Sequence, residues 1–174
     1  MQVVANGIAR ARTELRGLPT GEPEEDLGVL SGVTERMRAH LRSSGFSSYN
    51  VNELKLDESA LRPTREGFDV DTDASASDVV RTKVAYLESI RSIGAEVGTH
   101  PGFLVLDEPR QQDIAREDFG AILRYLSSVS APGQVVVTSA SDTDELDELL
   151  GDTRERVNLL DLGTDRIIRR LTNE

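Results

Sequence analysis

Apolar residues recur at helical spacing along much of the chain. From residue 24 they fall three and four positions apart, which predicts an amphipathic helix with one buried face. The stripe of this helix consists of Leu27, Leu30, Thr34, Met37 and Leu41. The same spacing predicts further helices over residues 1–16, 77–97 and 113–128, and a short acidic helix follows at 142–150.

Other segments have the patterns of strands. Residues 103–106 (FLVL) and 135–137 (VVV) are apolar at every position, which is typical of parallel strands buried on both faces, and the helix between them would be the crossover. Residues 52–57 alternate between polar and apolar as a strand does, with 65–70 as the expected partner across a loop. Two short strands are expected last, and they span residues 156–162 and 166–171. The predicted fold class is α/β, a mostly parallel sheet flanked by helices, with an N-terminal helical pair.

Polar residues follow both apolar strands directly. Asp107 and Glu108 come after the first strand, and Thr138 comes after the second. In parallel sheets the ligand binds beyond the carboxyl ends of the strands. Asp107 could hold Mg²⁺ together with phosphate oxygens, and Glu108 could take a proton from an attacking water. A strand that ends in an ordinary polar loop explains the same residues without chemistry.

Small residues open the helix that leads into the first apolar strand. Residues 74–81 read ASASDVVR, and small side chains let a phosphate approach the backbone closely. Backbone N–H groups at a helix start, with the aligned dipole, favour such an anion. An ordinary Ser/Asp helix cap is the alternative interpretation.

Taken together, these motifs resemble the C-terminal lobe of an ABC-type ATPase head, of the SMC-like class that serves chromosome maintenance and double-strand-break repair. In that family a signature of the form L-S-G-G-E-x-x-R opens a helix that leads to the Walker B strand. The resemblance places the cofactor-binding signature on Ser75, Ala76, Ser77, Asp78 and Arg81. The two signature glycines are thus replaced by other small residues.

The resemblance also assigns roles after the strands. It implies that Asp107 is the magnesium-linked Walker B aspartate and that Glu108 is the catalytic base. Ser139 stands where the family often has a cofactor-contacting switch histidine, and the loop at 110–113 (RQQD) departs from the family pattern. The resemblance covers about residues 45–170.

A phosphate-binding P-loop is missing from the chain. The motif G-x-x-x-x-G-K-[ST] needs a lysine after glycine, whereas Lys55 and Lys83 follow other residues. We therefore expect ATP and magnesium to bind only in a head completed by an N-terminal ATPase lobe, and to join it to a second head in an ATP-bound dimer. Residues 1–45 would be the end of a coiled coil and its junction, and 46–174 the ATPase lobe.

Composition limits the partners and the compartment. Lys and Arg number 20 against 31 Asp and Glu, a net charge of -11, so the chain lacks the basic excess of a general nucleic-acid binder. DNA is therefore expected from the resemblance alone. There is no cysteine, which fits a reducing cytoplasm. No membrane span or signal peptide is visible, so we expect a cytoplasmic protein without a membrane partner.

Two other function classes remain open. A receiver domain would use Asp107 as phosphoacceptor and would have a later strand that ends in Thr or Ser, as 135–139 does. However, it needs an acidic pair after its first strand and a lysine after its last. A scaffold that keeps the fold without the chemistry is favoured by the lost glycines and disfavoured by Glu108.

Overall fold

The computed structural model describes residues 24–57, 60–70, 74–111 and 114–163. The predicted helix at 1–16 and the predicted strand at 166–171 lie outside these residues. The helices are α1 (Glu24–Ser43), α2 (Ala76–Glu96), α3 (Arg116–Ser128) and α4 (Thr143–Leu150). The strands are β1 (Leu54–Leu56), β2 (Pro63–Arg65), β3 (Phe68–Asp69), β4 (Phe103–Leu106) and β5 (Gln134–Val137). The α/β class and the predicted helices within the described residues are confirmed. The prediction of a mostly parallel sheet is wrong for the described strands, because β1, β2 and β3 pair antiparallel and only β4 and β5 pair parallel.

Helix α1 packs along α2. Its apolar stripe is buried in the C-terminal half, where Met37 and Leu41 are fully enclosed, whereas Leu27 near the start remains 42% exposed. Met37 and Leu41 share one apolar cluster with Leu54 of β1 and Ala85 of α2. This core continues across residue 45, so α1 packs as part of the same unit as the strands that follow it.

Strands β1, β2 and β3 form a small antiparallel sheet. Leu54 pairs with Arg65, and Thr64 pairs with Asp69 across a turn at Glu66 and Gly67. Both turn residues have positive φ, 51° and 85°, as the favoured two-residue hairpin turns require. The prediction that 65–70 would pair with 52–57 holds only at Arg65. The turn splits the predicted segment, so the partner of β1 is β2, and Phe68 and Asp69 form β3 on the other side of β2.

Strands β4 and β5 are parallel, in register from Phe103 opposite Gln134 to Leu106 opposite Val137, and α3 is the crossover as predicted. Alternate residues of a strand point to opposite faces. Leu106 faces the main apolar cluster, which contains residues of α2, α3 and α4. Phe103 and Val105 face away and are each 50% exposed. The predicted burial of this strand on both faces is therefore wrong for the described part of the chain, whose helices cover one face.

A buried ion pair fixes α2 to the amino ends of β4 and β5. Glu88 and Arg91 of α2 form two hydrogen bonds of 2.6 and 2.7 Å, and both side chains are almost wholly enclosed. Arg91 also donates to the carbonyls of Gly102 at 3.2 Å and Pro132 at 2.7 Å. These bonds hold the residues just before both strands against the helix, at the edge opposite the polar residues.

The last described segment begins with α4, whose cap is Asp142, and continues through a 3-10 helix at Gly151–Arg156. The strand predicted at 156–162 does not form, although Val157 and Leu159 pack against the main apolar cluster. Among the described helices, none combines the length and the apolar character that crossing a bilayer requires.

Candidate functional site

Thr138 joins the two predicted carboxylates at the carboxyl edge of the parallel strands. Its hydroxyl donates to Oδ1 of Asp107 at 2.6 Å, and it accepts the backbone N–H of Glu108 at 2.9 Å. The backbone N–H of Thr138 continues the strand ladder by donating to the Leu106 carbonyl at 3.0 Å. The structure therefore brings together the three polar residues that the sequence places at the strand ends.

Glu108 has an unusual backbone and an unusual side chain. Its φ is +40°, in the left-handed region that residues other than glycine rarely adopt, and Pro109 follows it. Strained residues of this kind concentrate at functional sites. Its Oε2 is enclosed and has no hydrogen-bond partner among the described residues. Because a buried acceptor is costly to leave unpaired, this oxygen is suited to receive a donor from a ligand or a water.

A cavity of about 230 Å³ lies beside Glu108. Its lining consists of Glu108, Arg110, Ser139, Ala140, Ser141 and Glu145. The Ser139 hydroxyl accepts the backbone N–H of Ser141 at 3.1 Å, which turns the loop after β5 around the cavity. Ser139, the residue at the switch position, thus lies in the same cavity as the expected catalytic base.

Arg110 and Glu145 line the cavity and belong to an ion-pair network that also includes Arg116. Nη1 of Arg110 donates to the Ser141 hydroxyl at 2.7 Å and to Oε1 of Glu145 at 2.8 Å. Nε of Arg116 donates to the same Glu145 oxygen at 3.1 Å. Hydrogen bonds from Ser141, Arg110 and Arg116 hold the pKa of Glu145 below its usual value. The sequence analysis did not identify Arg110 and Glu145 as site residues. Their contact depends on how α4 packs, and no sequence motif indicates it.

The start of α2 has a serine N-cap, which both interpretations of residues 74–81 allow. The Ser75 hydroxyl accepts the backbone N–H of Asp78 at 3.2 Å, with Ser75 itself extended. The Ser77 hydroxyl accepts the backbone N–H of Ala115 at 3.3 Å, just before α3. Ser75 and Ala76 are exposed. The turn therefore contacts the chain just before α3, and Ser75 and Ala76 are open to solvent, whereas Ser77 is half-buried.

Asp78 faces inward rather than toward solvent. It is fully buried and accepts the backbone N–H groups of Ser47 at 3.0 Å and Ser48 at 2.8 Å, as well as the Ser48 hydroxyl at 2.7 Å. Burial alone would raise the pKa of Asp78, but the hydrogen bonds from Ser48, Ser47 and Arg81 outweigh it and hold this pKa below its usual value. Asp78 thus fastens the loop after α1 to the start of α2.

Arg81 is also enclosed, with 5% of its surface exposed. It pairs with Asp78 at 2.5 Å and with Asp118 of α3. The resemblance implies that Asp78 and Arg81 bind the cofactor. In this structure both side chains are instead occupied within the protein, where they position the turn that Ser75, Ala76 and Ser77 form.

The described residues contain no group of three or more acidic or histidine side chains that could hold a metal ion. Asp107 at the strand end would therefore need phosphate oxygens and waters to complete a magnesium shell, which is the coordination Mg²⁺ prefers. That requirement fits a site whose cation arrives with a phosphate ligand.

In comparisons with known proteins, no family model, no curated protein and no solved structure matches this chain.

Proposed function

We propose that the chain is the C-terminal lobe of an SMC-like, ABC-type ATPase head. It supplies the signature turn, the Walker B aspartate and the catalytic glutamate for ATP hydrolysis. The observation that best supports this proposal is the hydrogen-bonded set of Asp107, Thr138 and Glu108 at the carboxyl edge of two parallel strands.

The two carboxylates would have separate tasks. Asp107 is exposed and fixed by Thr138, so it is suited to hold Mg²⁺ that accompanies the phosphates, and that ion would offset their charge. Glu108 has an enclosed oxygen with no partner among the described residues, and it would accept a proton from the attacking water. Phosphoryl transfer depends mostly on positioning and charge stabilisation, which a rigid strand edge provides.

The start of α2 would act on a second nucleotide. Ser75, Ala76 and Ser77 would present backbone N–H groups and hydroxyls to the γ-phosphate held by the opposite head. Asp78 and Arg81 support this role indirectly, because they fasten the turn to the loop after α1 and to α3. ATP turnover would thus require head dimerisation.

The proposal assigns the P-loop to an N-terminal ATPase lobe outside these residues, since the chain has no G-x-x-x-x-G-K-[ST] motif. ATP and magnesium would bind in the completed head. The motor would act in DNA maintenance, repair or defence in the cytoplasm, and DNA as a partner follows from the resemblance alone.

Reconstitution tests this function. The chain is refolded or co-expressed with the P-loop lobe of the same protein, and ATP turnover is measured with Mg²⁺. We expect turnover in the wild type and a loss of at least about a hundredfold in Glu108→Gln, which keeps the shape and removes the base. Equal turnover in the two proteins would contradict the proposal.

Two further candidates each have one supporting observation. The Thr138 hydroxyl lies 2.6 Å from Asp107, as a receiver domain with Asp107 as phosphoacceptor would have it. Labelling of Asp107 by acetyl phosphate, absent in Asp107→Asn, would favour that function.

The burial of Asp78 and Arg81 suits an inactive scaffold lobe, which would bind the P-loop lobe without any turnover.

A further inference from the structure

We propose that Arg110 is a phosphate-contacting residue of the cavity beside Glu108, and that Glu145 is the internal anion from which a phosphate ligand displaces it. The inference rests on the proposed function for the chemical class of the ligand, a magnesium-bound polyphosphate. It adds two residues that the signature and Walker B motifs do not include.

Arg110 is placed where a ligand of the cavity can reach its guanidinium group. Its guanidinium lines the cavity that also holds Glu108, Ser139 and Ser141. Both of its hydrogen bonds to described residues use Nη1, so Nη2 and Nε can meet a ligand before any bond breaks. Guanidinium groups bind phosphate in a two-pronged geometry that neutral side chains cannot match.

Arg110 can exchange Glu145 for a phosphate ligand at a low cost in free energy. The side chains of Arg110 and Glu145 are 36% and 23% exposed, so the pair is partly hydrated and contributes at most modestly to stability. Glu145 also keeps Arg116 at 3.1 Å when Arg110 leaves, so no carboxylate is left alone. A phosphate group with two negative charges can therefore compete with the Glu145 carboxylate for Arg110.

The charge of the cavity selects the ligand. Glu108 and Glu145 both line it, and two carboxylates repel a bare anion. A polyphosphate that carries Mg²⁺ offers a cation to Asp107 and oxygens to Arg110 and the serine hydroxyls, and the cation offsets the charge that the two cavity carboxylates would repel. The site should therefore prefer the magnesium complex to the free polyphosphate.

The test uses the chain alone and an inorganic probe. Without the P-loop lobe the chain should bind only weakly, so magnesium tripolyphosphate is titrated to high concentration while the arginine Nε–H signals are followed by NMR, which detects weak binding. Arg110→Gln should weaken binding at least about tenfold, the effect of losing a charge-assisted hydrogen bond. Arg154→Gln removes the same charge at a similar exposure, 37% against 36%, from an arginine that pairs with Asp147 and does not line the cavity, and it should change affinity less than about twofold.

Glu145→Gln should strengthen binding, by up to about fivefold, because it removes the competing anion. Glu148→Gln is its matched control, since Glu148 pairs with Arg116 and is 70% exposed. The inference is overturned if the wild type does not bind, if the two arginine variants weaken binding equally, or if the two glutamate variants have equal effects. Failure of the reconstituted ATPase would leave this titration unchanged, so the two proposals fail separately.

Discussion

The hydroxyl of Thr138 lies 2.6 Å from Oδ1 of Asp107 and 2.9 Å from the backbone nitrogen of Glu108. One side chain on β5 thus fixes two consecutive residues that follow β4. It orients the first through its carboxylate and the second through its backbone. Glu108 needs this support because its φ of +40° is intrinsically unfavourable.

Thr138→Val should release Glu108 while it preserves the volume of the side chain. We expect the free energy of unfolding to fall by about 1 kcal/mol, because the hydroxyl's hydrogen bonds to Asp107 and Glu108 are lost at an exposed position. We also expect the Glu108 amide to lose its protection from hydrogen exchange, which NMR can follow. Thr138→Ser keeps the hydroxyl and should retain the protection. Unchanged exchange in the valine variant would show that Thr138 does not hold Glu108.

The strand-end carboxylates and the helix cap could be predicted because each depends on local sequence. Apolar runs that stop at polar residues mark strand ends, and a serine before an apolar-periodic segment marks a helix start. Asp107, Glu108 and Ser75 accordingly lie at the predicted positions.

The contacts between distant segments could not be predicted in this way. Arg110 meets Glu145 only because α4 packs beside the loop after β4, and their separation of 35 positions leaves no periodic signal. The inward turn of Asp78 depends on a loop 30 residues earlier. The exposure of Phe103 was mispredicted because an apolar run indicates a strand but does not reveal which faces are covered.

Removing one partner of the Glu88–Arg91 pair should be severely destabilising. In Arg91→Leu, the Glu88 carboxylate stays buried without its partner, and the carbonyls of Gly102 and Pro132 lose their donor. We expect a loss of about 3–5 kcal/mol in the free energy of unfolding, measured by urea denaturation.

The control for this prediction is a more exposed ion pair that joins α1 to α2. Arg36 and Glu96 lie 2.8 Å apart with 30% and 44% of their side-chain surfaces exposed. Arg36→Leu should cost at most about 1 kcal/mol. Similar losses in the two variants would mean that the buried pair is no more important than a surface one.

Alanine should have opposite effects at two glycines. At Gly133, φ is +107° and an added Cβ would lie 2.0 Å from the Gly102 carbonyl oxygen, so Gly133→Ala should destabilise the protein by more than about 1 kcal/mol. At Gly28 in α1 an added Cβ meets no atom within 4 Å. Gly28→Ala should therefore stabilise the helix by about 0.5–1 kcal/mol. Thermal unfolding checks both signs, and equal shifts would contradict the close approach of Gly133 to Gly102.

His40 should make the stability depend on pH. Its ring is fully buried and stacks on Tyr125, with centroids 3.6 Å apart and an angle of 16° between the planes. Neither ring nitrogen has a hydrogen-bond partner among the described residues. Burial lowers the pKa of His40 from 6.5 to about 3, because the charged form cannot be hydrated there.

The sign of the pH effect follows from this lowered pKa. The unfolded chain takes up a proton at His40 below about pH 6.5, whereas the folded chain stays neutral until about pH 3. The contribution to stability is therefore complete above pH 6.5 and is lost by about 1.4 kcal/mol for each pH unit below it. Between pH 7.5 and 5.0, His40 should account for a loss of about 2 kcal/mol.

Urea denaturation at these two pH values, in wild type and in His40→Phe, measures this loss. Phenylalanine keeps an aromatic ring against Tyr125 and cannot be protonated, so the variant should lose about 2 kcal/mol less on acidification than the wild type. His100→Gln removes the other histidine and controls for effects unrelated to the stack. If His40→Phe and the wild type weaken equally between pH 7.5 and 5.0, His40 is hydrated or paired in the folded protein.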